Sequence, residues 1–249
     1  MHPFLAQIMD RRARHALDEA RHREACTARY CRVCDRIRCP ECRDAVMRRA
    51  DQECFGCRFA AAAETLSIPA RFAWSALGSA DLVRRVARGS AAIDEARAAV
   101  RAHDAVLVGP TGTGKTSLAV ALLRARLAVD FAGVSSGSMF ASAIELAGAR
   151  TSRPLGSGEA PIIVRALRAP VLVIDDLGAE LVRLSEVIGE IVHRRHDAGR
   201  GVWLTTGLSS ADIGARYGGG VQRRLLDHAT VVRCGRHPGE QTTRDSGKP

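Results

Sequence analysis

The chain has 249 residues, of which 46% are apolar and 26% charged, and it carries a formal net charge of +10. This length and apolar share fit one sizeable α/β core with a small appendage, and they exclude a wholly disordered chain. The positive charge favours a polyanionic partner or an acidic protein surface; the alternative is a genome that enriches arginine, because Lys115 and Lys248 are the only lysines.

The N-terminal sequence lacks the apolar segment of a signal peptide, and no apolar run approaches the length of about eighteen residues that a membrane span needs. We therefore expect a cytoplasmic protein that does not span a membrane. The eight cysteines of such a protein lie in a reducing compartment, where close spacing favours a metal site over disulfides.

Six cysteines near the N-terminus form three Cys-x-x-Cys pairs. Each pair can offer two thiolates to one tetrahedral Zn²⁺, and two pairs make a closed structural site. Such a site would stabilise a short, arginine-rich stretch that has little apolar surface to bury. We predict that four of the six bind Zn²⁺, with an iron–sulfur cluster or metal-free thiols as alternatives; the candidates are Cys31, Cys34, Cys39, Cys42, Cys54 and Cys57.

A domain boundary is predicted near residue 65. Residues 58–65 favour a helix, and the proline-containing segment 67–72 ends it. The prediction therefore divides the chain into a cysteine-rich, zinc-binding region (1–65), a second domain (66–236) and a disordered tail (237–249). In the second domain, a helix over Ala80–Arg101 is expected to lead into the first core strand.

The clearest motif follows that strand. The apolar segment Ala105–Val108 leads into GPTGTGKT and then into a helix, which is the P-loop pattern G-x-x-x-x-G-K-[ST] in its required order. Glycines allow backbone N–H groups to approach phosphate, and the start of the helix adds a positive dipole end. Lys115 is expected to reach the β- and γ-phosphates and Thr116 to bind Mg²⁺. The predicted ATP-binding residues are Gly109, Pro110, Thr111, Gly112, Thr113, Gly114, Lys115, Thr116 and Ser117.

The segment after the P-loop helix predicts three elements in order. They are a strand over Phe131–Val134, a helix over Ser138–Leu146, and a loop over Thr151–Pro161. The predicted helix would place Met139, Phe140, Ile144 and Leu146 on its apolar side.

A second motif closes the next strand. The run from Pro170 to Gly178, PVLVIDDLG, is apolar up to two acids, as in a strand buried on both faces of a parallel sheet. Ligands bind at the carboxyl ends of such strands. This Walker-B arrangement predicts that Asp175 holds Mg²⁺, directly or indirectly, opposite Thr116 and that Asp176 orients or deprotonates the attacking water.

The C-terminal third predicts a helix from Glu180 to about His196, with Leu181 among its core-facing residues, and a strand over Val202–Thr206. Thr206 is a candidate sensor of the γ-phosphate, although a strand-end threonine can equally satisfy its own backbone. A helix capped by Ser209 or Ser210 extends through Tyr217, and a last strand covers Thr230–Arg233.

Four segments together resemble the bacterial and phage helicase-loader ATPases, the DnaC-like and IstB-like AAA+ proteins: GPTGTGKTSLAVAL, VLVIDDLGAE, LTTGLS and YGGGVQRRLLDHATVV. The resemblance implies a P-loop AAA+ fold, a parallel sheet flanked by helices, and a loader that depends on ATP and Mg²⁺. It also implies that the zinc-binding region engages a replicative helicase, that the ATPase domain contacts single-stranded DNA, and that subunits associate on ATP binding.

The chain departs from that family at two positions. Gly207 replaces the family's sensor asparagine, which implies slow hydrolysis or reliance on Thr206. Gly220 replaces the first of two family arginines, and Arg224 matches the second, so Arg224 is the candidate arginine finger that acts in a neighbouring subunit, with Arg223 next to it.

Two other functions stay open at this point: an IstB-like accessory ATPase of a transposase, and a zinc-ribbon binding module that binds ATP with little turnover. If the protein contacts nucleic acid, we expect salt-sensitive phosphate contacts with little sequence preference. The residues expected on that face are Arg216, Arg223, Arg224, Arg233 and Arg236.

Overall fold

The computed structural model describes residues 59–235, except for residues 61, 130–136, 152 and 155. Almost all of them belong to one compact unit that begins at Ala62. This unit contains a five-stranded sheet in the order β2-β3-β4-β1-β5, and each pairing is parallel. The strands are β1 (Ala105–Val108), β2 (Met139–Ser142), β3 (Leu172–Leu177), β4 (Val202–Thr206) and β5 (Thr230–Arg233).

Helices flank the sheet, as a parallel sheet with apolar strands requires, because both of its faces must be covered. Short 3₁₀ turns lie at Ala70–Phe72 and Val182–Leu184. The α-helices are α1 (Ala80–Arg85), α2 (Ser90–Ala99), α3 (Lys115–Val129), α4 (Ala143–Gly148), α5 (Pro161–Arg168), α6 (Ser185–Asp197), α7 (Ser210–Tyr217) and α8 (Gly219–Leu226). The predicted α/β fold with a parallel sheet is confirmed.

The strand order brings the two motifs together. Strand β4 lies between β1 and β3, with Leu107 beside Thr205 and Ile174 beside Leu204. Because these strands are parallel, their carboxyl ends meet at one edge of the sheet. The P-loop follows β1 there, and the acidic pair closes β3 there, so the fold itself builds a site from segments about sixty residues apart.

Helix α3 fixes the P-loop from behind. Ten of its fifteen residues are buried, among them Leu118, Leu122 and Leu123. A helix that is buried on nearly every side packs inside a fold rather than on its surface. Its N-terminus, which begins at Lys115, is therefore held in a fixed position relative to β3 and β4.

One buried arginine joins three segments of the core. Arg195, at the end of α6, is fully buried and donates hydrogen bonds to the carbonyl oxygens of Ala166, Ala169 and Gly201. Burial lowers the pKa of Arg195 to about 10. All three carbonyls satisfy donors of Arg195. The oxygens of Ala166 and Ala169 thereby receive partners at the end of α5, where backbone oxygens have none within the helix.

The helix predicted over Ser138–Leu146 is wrong in its first half. Met139–Ser142 is a strand that pairs with β3, with Met139 beside Leu172 and Phe140 beside Val173. A helix begins only afterwards, at a capping box in which Ser142 and Glu145 exchange hydrogen bonds. Ile144, expected on the apolar side, is 58% exposed. A four-residue apolar run fits strand and helix equally, and the pairing with β3 decides between them.

The helix predicted over Ala80–Arg101 is broken into α1 and α2. Val86 adopts an extended backbone and Gly89 a left-handed one, with φ of 52°. The break lets the segment lie against the P-loop, since the Ala87 N–H donates to the Thr113 carbonyl at 3.2 Å. This tertiary contact outweighs the helical periodicity of the sequence.

Three smaller expectations also change. Residues 62–67 form turns rather than a helix, and Pro161–Arg168 is a helix where only the end of a loop was expected. The helix expected from Glu180 begins at Ser185, and Leu181 is 56% exposed. The predicted strand at 131–134 and the predicted tail at 237–249 lie outside the described residues. None of the described helices has both the length and the apolar character needed to cross a membrane.

Candidate nucleotide site

The P-loop needs glycine at position 114 for two reasons. Gly114 has a φ of 88°, which side chains rarely tolerate, and a Cβ on it would lie 2.7 Å from the Arg85 carbonyl oxygen. Gly112 has a similar φ of 81° but open space around it. The loop is therefore shaped by backbone conformation at both glycines, and at Gly114 also by the break between α1 and α2.

Lys115 lies folded over its own loop. Its ammonium group donates to the Pro110 carbonyl at 2.9 Å, and the Thr113 hydroxyl donates to the same oxygen at 2.8 Å. The lysine is only 6% exposed. A carbonyl oxygen is a weaker partner for a buried ammonium than an anion is, so this arrangement suits a phosphate that replaces it.

The Thr116 hydroxyl meets the acid of β3. Its oxygen lies 3.1 Å from each carboxylate oxygen of Asp175, which is 7% exposed. Burial raises the pKa of Asp175, while the hydrogen bond from Thr205 acts in the opposite direction. The structure thus brings together the two predicted Mg²⁺ ligands, one from each motif.

Asp176 stands at an irregularity in β3. The pairing of β3 with β4 shifts register between Ile174 and Leu177, and Asp176 has a left-handed backbone with a φ of 53°. For a residue other than glycine this conformation costs about 1 to 3 kcal/mol. It leaves the Asp176 side chain exposed beside the buried Asp175, where a carboxylate can contact water.

A residue of β4 that the motifs did not single out holds both acids. The Thr205 hydroxyl donates to Asp175 at 2.6 Å and accepts from the backbone N–H of Asp176 at 2.9 Å. Thr205 is fully buried. Only the register of β3 against β4 places it there, so the local sequence carries no direct signal for it beyond a hydroxyl near the strand end.

Thr206, the predicted sensor, makes its hydrogen bonds to backbone groups instead of to the acids. Its hydroxyl donates to the Leu177 carbonyl at 2.8 Å and accepts from the Leu208 N–H at 3.0 Å. Thr206 is fully buried. Its single hydroxyl proton is therefore used by the backbone of β3, whereas Thr205 is the threonine of this strand that reaches the acids.

Gly207 follows at the end of β4, next to the P-loop. A Cβ at this position would meet a single atom within 4 Å, the Gly109 carbonyl oxygen at 3.6 Å. Position 207, where the resemblance implies a sensor asparagine, therefore lies beside the phosphate loop, with room for a Cβ.

The residues present fit ATP with Mg²⁺. The loop offers backbone N–H groups, one ammonium and the N-terminus of α3 to phosphates. Thr116 and Asp175 offer a hydroxyl and a carboxylate oxygen, and Mg²⁺ usually takes one or two such protein ligands together with phosphate oxygens.

Zinc binding is a different matter, because the six candidate cysteines from Cys31 to Cys57 lie outside the described residues. Within the part of the chain that the structure describes, no group of three or more histidine, cysteine or acidic side chains is placed to hold a metal ion. The zinc site stays a prediction.

Arg224 and the P-loop lie at opposite edges of the sheet. Arg224 lines a cavity of about 580 Å³ together with residues that precede β1, β4 and β5, and therefore at the amino edge of the sheet. Its Nη1 donates to the Gly220 carbonyl at 3.1 Å, and its buried Nε has no hydrogen-bond partner. The other lining residues are His103, Asp104, His196, Gly199, Arg223, Asp227 and His228.

The predicted nucleic-acid face is only partly available. Arg216 is held by Glu180, a buried acid, through its Nε at 3.0 Å, so its charge is already paired. Arg223 and Arg233 are exposed, and Arg236 lies outside the described residues. Arg216 therefore does not belong with the solvent-facing arginines.

Comparisons with known proteins show what the chain resembles. Residues 85–235, more than half of the chain, match the sequence profile of the family described as IstB-like ATP binding protein. Among solved structures, the crystal structure of the DnaC helicase loader is similar, with a TM-score of 0.53 and 22% identity over 67% of this chain and 99% of that one. The structure of DnaI has a TM-score of 0.48 and 19% identity over 64% of this chain and 95% of that one. AMPPCP-bound DnaA from Aquifex aeolicus has a TM-score of 0.43 and 18% identity over 57% and 45% of the two chains. No curated protein sequence matches the chain. The likeness to the DnaC structure shows the fold.

Proposed function

The chain belongs to the family of IstB-like ATP-binding proteins, and we propose that it hydrolyses ATP with Mg²⁺ and uses that cycle to load a replicative helicase in DNA replication. One observation carries the ATPase: the Thr116 hydroxyl lies 3.1 Å from both oxygens of Asp175, at the foot of the loop that holds Lys115. This pairing supplies the protein ligands of a metal–triphosphate complex.

Each residue of the site has a defined task in this proposal. The loop's N–H groups and the N-terminus of α3 bind the phosphates, and Lys115 exchanges the Pro110 carbonyl for the β- and γ-phosphate oxygens. Thr116 and Asp175 would hold Mg²⁺, which when bound would neutralise charge on the transferred phosphoryl group. Asp176, exposed beside Asp175, orients or deprotonates the attacking water.

Arg224 is proposed to act on a neighbouring subunit. It lines a cavity at the amino edge of the sheet, whereas its own P-loop lies at the carboxyl edge. An arginine so placed completes a phosphate site only when a second copy of the chain brings its nucleotide to that edge. We therefore propose that the protein forms a homo-oligomer when ATP binds.

The loader role rests on the family resemblance and on the cysteine cluster. The similar DnaC structure is described as a helicase loader. A zinc-stapled region with four ligands from Cys31 to Cys57 would give a rigid module for docking on the helicase. Exposed arginines such as Arg223 would contact single-stranded DNA through its phosphates.

A second candidate, a module that binds ATP with little turnover, is favoured by one observation. Gly207 presents no side chain beside the Gly109 carbonyl, so this position offers no amide to polarise the attacking water. Tight ATP binding without hydrolysis would support this binding module over the ATPase.

The first experiment compares the two lysines. Lys115→Ala is expected to abolish ATP binding and hydrolysis, whereas Lys248→Ala, the matched control in the predicted tail, leaves both unchanged. ATP binding is followed with a fluorescent analogue and hydrolysis by phosphate release, with and without single-stranded DNA. Equal activity of the two variants would refute the ATPase.

The second experiment identifies the partner and the metal. The full chain is purified from cells that contain a hexameric helicase and a transposase, and the co-purifying protein is identified. A helicase supports the loader, and a transposase supports the accessory ATPase. Metal analysis of the same sample tests the cysteine site, since less than about half an equivalent of zinc or iron contradicts a four-cysteine site.

A further inference from the structure

A buried acid lies just beyond the acidic pair of β3. Glu180 is 4% exposed, and one of its carboxylate oxygens accepts from the Gly178 N–H at 3.1 Å. Gly178 itself has a φ of 101°, and a Cβ on it would lie 2.7 Å from the Leu208 side chain at the end of β4. The turn after Asp176 is thus closed tightly, with Glu180 as its internal acceptor.

The other partners of Glu180 come from the last turn of α7. Arg216 donates through Nε to a carboxylate oxygen at 3.0 Å and through its second guanidinium nitrogen to the Glu180 carbonyl. The Tyr217 hydroxyl donates to the same carboxylate oxygen, and its pKa is raised by burial and by the nearby Glu180 charge. A buried carboxylate that is bound by a cation, a phenol and a backbone N–H holds all of its partners in fixed positions.

Helix α7 continues directly into the segment that carries the arginines. Gly218, with a φ of 86°, turns the chain, and α8 follows at Gly219. The Gln222 amide donates back to Ser210, and a Cβ on Gly214 would lie 2.5 Å from Gln222. Helices α7 and α8 therefore form one close hairpin, residues 210–226, with Glu180 at its base and Arg224 on its second helix.

We propose that Glu180 is a positioning residue that links the acidic turn of the nucleotide site to this hairpin, so that a nucleotide on the P-loop moves the arginines that the subunit offers to its neighbour. The inference rests on the proposed nucleotide binding and on the role proposed for Arg224, and it adds a path between the two edges of the sheet. The path begins in the turn, where the Ala179 N–H donates to the Asp176 carbonyl at 3.0 Å and the Gly178 N–H donates to Glu180. It continues from Glu180 to Arg216 and Tyr217 through hydrogen bonds, and from there to Arg224 through the continuous chain of the hairpin. Because Asp176 is strained, a ligand beside it has a local conformation to act on.

Amide hydrogen exchange of the full chain tests this link without requiring turnover. With Mg²⁺ and the non-hydrolysable analogue AMPPCP, the wild type is expected to change its exchange in both the P-loop (109–117) and the hairpin (210–226). In Glu180→Gln, which keeps the size of the side chain but loses its charge, the P-loop response persists and the hairpin response falls by about tenfold. Glu186→Gln, a change at an exposed acid of α6, is the matched control and behaves as the wild type.

A double variant separates positioning from folding. Removing one partner of a buried ion pair destabilises a protein, whereas replacing both by apolar residues is often tolerated. Both charges are therefore removed together in Glu180→Gln with Arg216→Met, where the amide oxygen at position 180 can still accept from the Gly178 N–H and the Tyr217 hydroxyl. This double variant is expected to recover part of the Tm lost in Glu180→Gln, yet its hairpin should not respond to AMPPCP.

Three results overturn the inference. The first is a wild type in which AMPPCP changes hydrogen exchange in the P-loop but not in the hairpin. The second is a hairpin response in Glu180→Gln as large as that of the wild type, and the third is a restored hairpin response in the double variant. A wild-type P-loop that does not respond at all refutes instead the nucleotide binding on which the inference rests.

Discussion

Replacing Thr205 by valine should weaken the proposed Mg²⁺ site through loss of a single hydroxyl. Valine keeps the volume of the side chain, so the substitution removes the bond to Asp175 at 2.6 Å and the acceptor for the Asp176 N–H. A hydrogen bond to a charged group contributes about 1.5 to 3 kcal/mol, and a buried donor left without a partner costs about 1 to 3 kcal/mol. Since the remaining structure relaxes, we expect the free energy of unfolding to fall by about 3 kcal/mol.

The functional effect follows from the same bonds. Residues that orient a metal ligand typically contribute tenfold to a hundredfold to metal affinity, so the Mg²⁺ concentration for half-maximal hydrolysis should rise by about tenfold or more. The Thr205 hydrogen bond also opposes the burial that raises the pKa of Asp175. Without it the acid protonates more readily, and the loss of Mg²⁺ affinity should grow as the pH is lowered.

Thr206→Val is the matched control on the same strand. It removes two backbone partners, Leu177 and Leu208, and should reduce stability by a similar amount, but it does not touch the acids. Mg²⁺ titrations of ATP hydrolysis, with chemical unfolding of the same samples, compare the two variants. Equal Mg²⁺ requirements in the two variants, or a larger rise in Thr206→Val, would refute the proposal that Thr205 orients Asp175 for Mg²⁺ binding.

Three further changes test other parts of the site and the core. Gly207→Asn should raise kcat by about tenfold, because an amide beside the Gly109 carbonyl can hold the attacking water, and a steady-state ATPase assay with no gain contradicts this. Gly114→Ala should abolish binding of a fluorescent ATP analogue and destabilise the loop by about 2 kcal/mol, whereas Gly112→Ala, with the same backbone strain but open space, should have a smaller effect. Arg195→Met should lower the free energy of unfolding by about 3 kcal/mol, since the carbonyl oxygens of Ala166, Ala169 and Gly201 lose their donors. A Tm equal to that of the wild type would contradict this expectation.

The parts of the site that local sequence determines could be predicted. Lys115 and Thr116 follow from the P-loop pattern, and Asp175 and Asp176 follow from an apolar strand that ends in two acids. In each case the residue's task depends on its place within one strand, turn or helix. The parallel sheet then had to bring both motifs to one edge, because parallel strands place their carboxyl ends together.

What depended on pairing between distant segments could not be predicted. Thr205 is a site residue only because β4 lies between β1 and β3 in a particular register. Arg216 looked like a surface charge until the fold placed it on Glu180, thirty-six residues earlier. The same holds for Met139, whose strand conformation depends on its pairing with Leu172.

The placement of Arg224 at the opposite edge of the sheet from Lys115 gives any assembly built on that contact a direction. Such a contact joins unlike surfaces head to tail, so it closes into a ring or grows as an open filament, and it cannot form a symmetric pair. In an open filament the subunit at one end holds a nucleotide that no arginine reaches. Turnover per subunit would then rise with filament length and level off, because one inactive end subunit is a smaller share of a longer filament. In a closed ring every nucleotide would be reached by an arginine.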